Sequence, residues 1–131
     1  MAVRKLEHVN IRTRRLLETI QFYQEILDME ATPSPGGDMT KGAWIRDTSG
    51  QAIVHLVSAD VPLTTRLSAP AVDSGSGAID HVALECDGYE DMQHRMERHG
   101  LTHRCNTIPS IGLRQIFVED PNGVLVELNF R

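Results

Sequence analysis

Four side chains in this chain could work together on a metal ion: His8, His55, His81 and Glu127. Three imidazoles and one carboxylate make a donor set that suits a borderline divalent ion such as Zn, Ni, Co, Mn or Fe. Four protein ligands on an ion that accepts six leave two positions for water or for substrate oxygens. A carboxylate buried without a charge partner is costly, and a bound cation removes that cost. Any one of these residues alone would read more simply as a hydrogen-bonded group lining a cavity. The case for a site rests on where the four fall in the chain.

They fall at matching places in an internal repeat. Leu6-Glu7-His8-Val9-Asn10-Ile11 matches Ile79-Asp80-His81-Val82-Ala83-Leu84 at an offset of 73 residues, 8 onto 81. The same offset carries Asp47-Thr48-Ser49-Gly50 onto Asp120-Pro121-Asn122-Gly123. Beyond these turns the offset falls to 72, 55 onto 127, as though the first copy had gained one residue. Ala52-Ile53-Val54-His55-Leu56 then matches Val124-Leu125-Val126-Glu127-Leu128. Two copies of this length indicate a duplicated unit rather than a solenoid.

Each copy must contain elements that position its pair. Opening strands are expected at about 3–12 and 78–86. Helices should follow, marked in copy one by Leu16, Leu17, Ile20, Tyr23, Ile26 and Leu27, and in copy two by Tyr89, Met92 and Met96 with Gly100 as C-cap. Three short strands should close each copy, at about 29–34, 42–47 and 51–58, then 101–106, 112–119 and 124–130. The last two of each set read as a hairpin over the Asp-x-x-Gly turn. Strand alternation places Val54 and Leu56 on one face and His55 on the other; Leu125, Glu127 and Asn129 likewise oppose Val126, Leu128 and Phe130. The expected architecture is α+β, a single domain over 1–131, with tandem βαβββ units at about 1–58 and 78–131. A connector at about 59–77, with Pro62, Pro70 and Ser74-Gly75-Ser76-Gly77, would join them. The units would form a concave mixed sheet around a metal site.

Other residues read more plainly. Hydrophobic residues at 40% and charged residues at 24% are ordinary for a soluble globular chain. A net charge of −5 argues against nucleic acid as the main partner. No apolar run approaches the roughly 20 residues of a membrane helix. Glu7, His8 and Asn10 deny the N-terminus a signal-peptide core, so a cytoplasmic location is expected. Cys86 and Cys105 match no zinc or redox spacing and are expected reduced and buried. Arg12, Arg14 and Arg15 read as a solvated turn, His94, His99 and His103 as surface residues, and Trp44 and Phe117 as core. Arg114 or Gln115 is a weaker candidate for substrate contact.

The duplicated unit, the two opening His motifs and the closing run from Asp120 to Leu128 resemble the vicinal oxygen chelate superfamily. That group includes glyoxalase I, methylmalonyl-CoA epimerase, extradiol dioxygenases, fosfomycin-resistance enzymes and metal-free bleomycin-binding proteins. The resemblance implies metal positions at His8, His81 and Glu127, with His55 at a fourth that bacterial glyoxalase I fills with a carboxylate and epimerases with Gln. His55 is therefore either a ligand or an acid–base residue. The resemblance further implies one divalent ion, a small-molecule substrate and a homodimer. The expected activity is a lyase or isomerase acting on vicinal oxygens through an enediolate-type intermediate, with Glu127 as proton shuttle. Rival expectations are an extradiol-type Fe(II) dioxygenase using His8, His81 and Glu127, and a non-catalytic ligand-sequestering protein of the bleomycin-resistance type.

Overall fold

The computed structural model describes residues 2–34, 37–62 and 72–131. The chain divides into two compact units, Met1–Asp73 and Ser74–Arg131, and the division falls inside the stretch expected as connector. Residues 63–71 of that stretch, Pro70 among them, lie outside the described residues. Among the described residues no helix is long and apolar enough to cross a membrane.

The first unit runs β1 (Val9–Thr13), α1 (Leu16–Gln21), β2 (Glu30–Pro33), β3 (Gly42–Arg46) and β4 (Ala52–Ser58). Its sheet has the order β1-β4-β3-β2, with β1 parallel to β4 and the other pairs antiparallel. The second unit runs β5 (Val82–Cys86), α2 (Tyr89–Arg98), β6 (His103–Ile108), β7 (Leu113–Glu119) and β8 (Leu125–Phe130). Its order, β5-β8-β7-β6, and its strand directions repeat those of the first. The fold is thus α+β with two βαβββ units, each carrying its own four-stranded mixed sheet.

The opening strands are shorter than expected. β1 begins at Val9, paired with Val54, and β5 at Val82, paired with Val126. His8 and His81 therefore lie one residue ahead of their strands. β4 and β8 start only one or two residues before those first pairs, so nothing extends the parallel ladder further back.

The first helix also departs from regular spacing. α1 passes into a π-helical turn over Phe22–Ile26, with the Leu27 N–H reaching the Phe22 carbonyl at 3.3 Å. The wider turn lets adjacent Phe22 and Tyr23 both enter the core, along with Ile26 and Leu27. Leu17, expected on the apolar face, is exposed. α2 follows its pattern: Met92 and Met96 are buried one turn apart. Gly100, at φ 62°, closes it in a Schellman motif, with Gly100 N–H on the Glu97 carbonyl and Leu101 N–H on that of Met96, both at 3.0 Å.

The two hairpin turns are built alike. Asp47 Oδ1 accepts from the N–H groups of Ser49 (2.9 Å) and Gln51 (3.1 Å). Asp120 Oδ1 accepts from those of Asn122 (2.8 Å) and Val124 (3.0 Å). The extra residue of the first copy is absorbed after its turn. Ile45 pairs with Val54 but Arg46 with Ala52, so Ile53 is left over as a β-bulge. The second copy pairs Val118 with Val126 and Glu119 with Leu125 without a break.

Candidate functional site

Each sheet has one apolar, buried face and a second face that carries most of its polar side chains. In the first unit Ile45, Val54, Leu56 and Ile11 pack inward. On the second face Trp44 stands opposite His55 and Asn10 beside it. The Trp44 and His55 rings stack with centroids 4.0 Å apart and planes 15° apart. Asn10 Nδ2 lies 3.2 Å from His55 Nδ1. His8 meets the Trp44 ring edge-on at 5.3 Å, and its centroid is 6.4 Å from that of His55. Trp44 is therefore not a core residue: its cross-strand partner fixes it on the face opposite Ile45. Desolvation, with the neighbouring His8 charge second, holds the His55 pKa below its ordinary 6.5.

The second unit presents the same places with different chemistry. Phe117, also off the buried face, pairs with Glu127 as Trp44 does with His55, and its ring carries the Arg104 guanidinium at 4.4 Å. His81 Nε2 faces Glu127 Oε1 at 3.7 Å. The His81 pKa is raised, first by the hydrogen bond from Nδ1 to Asp80 and then by the nearby Glu127 charge, against opposing desolvation.

One detail recurs in both copies. His8 Nδ1 donates to Glu7 Oε1 at 3.0 Å, and His81 Nδ1 donates to Asp80 Oδ2 at 2.9 Å. An acceptor on Nδ1 fixes the tautomer and leaves the Nε2 lone pair free, which is how metal-ligating histidines are commonly held. The acid before each histidine is visible in the sequence as part of the repeat, but its contact with the ring is not.

A family model for the Glyoxalase/Bleomycin resistance protein/Dioxygenase superfamily matches residues 5–128. The chain belongs to this superfamily. A curated relative, "Glyoxylase I 4" of Arabidopsis thaliana, is 25% identical over 126 residues, covering 94% of this chain and 68% of the plant protein. Among solved structures, an integron cassette protein from the mobile metagenome of V. cholerae has a TM-score of 0.73 at 18% identity, covering 99% of this chain and 97% of its own. Lactoylglutathione lyase from Agrobacterium tumefaciens scores 0.65 at 16% identity over 94% and 91% of the two chains. The fosfomycin resistance protein FosX of Listeria monocytogenes scores 0.69 at 16% identity over 99% and 95%. At these identities the structures establish the fold.

Members of the superfamily typically use a divalent metal, so the donors of this glyoxalase-superfamily chain can be tested for fit. Two ligands of one ion, each about 2.1 Å from it, lie roughly 3.0–3.5 Å apart. The 3.7 Å between His81 Nε2 and Glu127 Oε1 is close to that spacing. Imidazoles in adjacent positions on one ion have centroids about 4.5–5.3 Å apart. At 6.4 Å, His8 and His55 stand further apart than this. Among the described residues no group of three or more His, Cys, Asp or Glu side chains is gathered as for a metal ion. The donors come as one pair in each unit.

Several expectations about neighbouring residues change. Arg12 donates to the backbone carbonyls of Ala59 (2.6 Å) and Val61 (2.9 Å) and so braces its own unit, while Arg14, paired with Asp73, and Arg15, 4.0 Å from Glu18, are exposed as expected. Arg114 pairs with Glu90 at 2.8 Å over the Tyr89 ring, on the helix side of the sheet. Both cysteines are free thiols, but only Cys86 is partly buried, and burial pushes its pKa up to about 11; Cys105 is exposed. His94 and His99 are exposed as expected, whereas His103 is half-buried and donates to the Leu101 carbonyl at 2.8 Å.

Proposed function

We propose that the protein is a metal-dependent lyase or isomerase of the glyoxalase type, with His8, His55, His81 and Glu127 as the ligand set for one divalent ion. The observation that carries this reading is the His81–Glu127 pair, in which Asp80 holds the far side of the imidazole and Asn129 Nδ2 donates to Glu127 Oε2 at 2.9 Å. Nε2 and Oε1 are left facing each other with their lone pairs available. The plant relative's name and the Agrobacterium lyase point toward the same reaction class.

A divalent ion held there would supply Lewis acidity to two neighbouring substrate oxygens, making the adjacent C–H more acidic. The residues of the chain do the remaining work. The Glu127 carboxylate carries the proton from carbon and back, while Asn129 holds the side chain through Oε2. Glu7 and Asp80 present the Nε2 lone pairs of His8 and His81. Trp44 and Asn10 hold the His55 ring in one plane. A small-molecule substrate and a homodimer belong to the same proposal.

A second reading follows from the 6.4 Å gap and from the hold of Trp44 and Asn10 on His55. His55 then acts as an acid–base residue beside a His8, His81 and Glu127 triad, as an Fe(II) extradiol dioxygenase would require.

The deciding experiment is metal analysis of tag-free protein prepared without chelator, followed by assay. About one Zn, Ni or Co ion per chain, with solvent hydrogen exchanged into a 2-hydroxy-carbonyl substrate and turnover lost in Glu127→Gln, supports the lyase or isomerase. Fe with oxygen uptake on catechols supports the dioxygenase. Failure to take up any of these ions would sink both and leave a ligand-sequestering protein.

A further inference from the structure

The polar face of the second sheet carries a row of side-chain amides that the proposed reaction does not by itself require. Asn106 Nδ2 donates to Gln115 Oε1 at 2.8 Å, and Gln115 Nε2 donates to Asn129 Oδ1 at 3.1 Å. Asn129 Nδ2 then donates to Glu127 Oε2 at 2.9 Å. The register explains the row, since Asn106 pairs with Gln115 and Gln115 with Asn129 across β6, β7 and β8. Gln115 is only 7% exposed, so both ends of its amide must find partners inside the protein.

The direction of the row follows from its end. A carboxylate accepts hydrogen bonds and cannot donate them, so Asn129 must turn its NH2 toward Glu127. Its carbonyl oxygen then faces Gln115, which must answer with its own NH2. The Gln115 oxygen is left for Asn106. The three amide orientations are thus dictated in sequence by one carboxylate. Three apolar side chains would fill the same strip of sheet without any need for paired polar atoms.

We infer that Asn106, Gln115 and Asn129 are positioning residues: a directional amide relay that clamps Glu127 by Oε2 and so presents Oε1 toward His81. Glu127 is then held in one rotamer before anything binds. Asn129 acts on it directly, and Gln115 acts through Asn129. The inference rests on the proposed role of Glu127 in metal binding for its functional consequence, and on the hydrogen-bond geometry alone for its existence.

Two measurements on the full chain test it. The first is calorimetric titration with Zn(II) alone. Asn129→Asp sets an acceptor against Glu127, and Gln115→Glu removes the donor two links away. Each is expected to weaken zinc binding by roughly ten- to a hundredfold, in the range of changes to groups that orient metal ligands. Gln115→Leu, which leaves no repelling charge, is expected to weaken it less. The d–d spectrum of Co(II)-loaded Asn129→Asp should change as well, a signature that a purely structural role would not move. Should the buried Gln115→Glu protein fail to fold, Asn129→Asp alone decides this arm. Zinc affinity within about twofold of wild type in folded Asn129→Asp would overturn the inference, being far below the expected change.

The second measurement uses metal-free protein. Glu127→Ala is expected to shift the side-chain NH2 resonances of Gln115 and Asn106 as well as that of Asn129. A shift confined to Asn129 would mean that no relay exists. If wild-type protein takes up no zinc, the metal reading fails by itself and the resonances still decide the relay.

Discussion

Asp80 shows how far the protonation of an imidazole depends on the residue before it in the chain. Because the hydrogen bond to Asp80 is the first cause of the raised His81 pKa, the metal-free protein gains stability from His81 below its ordinary 6.5 and loses it as pH rises through the higher folded value. His55 runs the other way: its depressed pKa gives stability above 6.5 that is lost as pH falls through the lower folded value. If His81 is a ligand, a cation must compete with the proton on its ring, so zinc affinity should begin to fall on acidification while the pH is still above 6.5. Asp80→Asn should move the onset of that fall to lower pH. Calorimetry between neutral and mildly acid pH would check both, and an unmoved onset would show that Asp80 does not govern the ring. The equivalent places of His8 and His81, and of His55 and Glu127, were legible in the sequence because the repeat aligns them. Asn106, Gln115 and Asn129 were not, since they are common polar residues on three strands and only the register brings them into line. Trp44 was misread as core because an aromatic residue in a strand gives no sign of which face it takes.

At the scale of elements, the hairpin turns and α2 were legible because their signals are local: an Asp whose side chain caps its own turn, and a glycine at positive φ that ends a helix. The π-helical turn and the β-bulge were not, because each answers a packing demand from elsewhere. An insertion in a strand would ordinarily carry every later side chain to the opposite face. Setting Ile53 aside lets His55 stay opposite Trp44 despite the extra residue. Deleting Ile53 should therefore give a regular ladder like that of β8, with His55 still against Trp44. Its melting temperature should lie within a few degrees of wild type, on the order of 1 kcal/mol. Deleting Leu125 from β8, which has no residue to spare, should instead turn Glu127 away or slip the ladder, and the protein should melt far lower or not fold. Thermal melts of the two deletions would separate these outcomes, and equal losses would contradict the role given to the bulge.

For the molecule as a whole, duplication supplied two frames of one topology, and the sequence revealed it because turn, histidine and closing strand recur in order. What each copy made of its frame differs. The first pairs two imidazoles around an indole; the second pairs an imidazole with a carboxylate secured by amides. If the four donors serve one ion, His8→Ala and His81→Ala should each remove the same zinc-binding event. Independent half-sites would leave residual binding in each variant, which titration of the two proteins would reveal.

The stacking of Trp44 on His55 also makes the protein its own optical probe. This is the single tryptophan of the chain, 4.0 Å from one imidazole and 5.3 Å from another. A protonated imidazole in contact with an excited indole accepts an electron from it and quenches emission. Fluorescence of the metal-free protein should therefore dim as pH falls below 6.5 and His55 takes up its proton. If His55 is one of the ligands, zinc added at that pH should restore the emission by displacing the proton, so that occupancy can be read without a label.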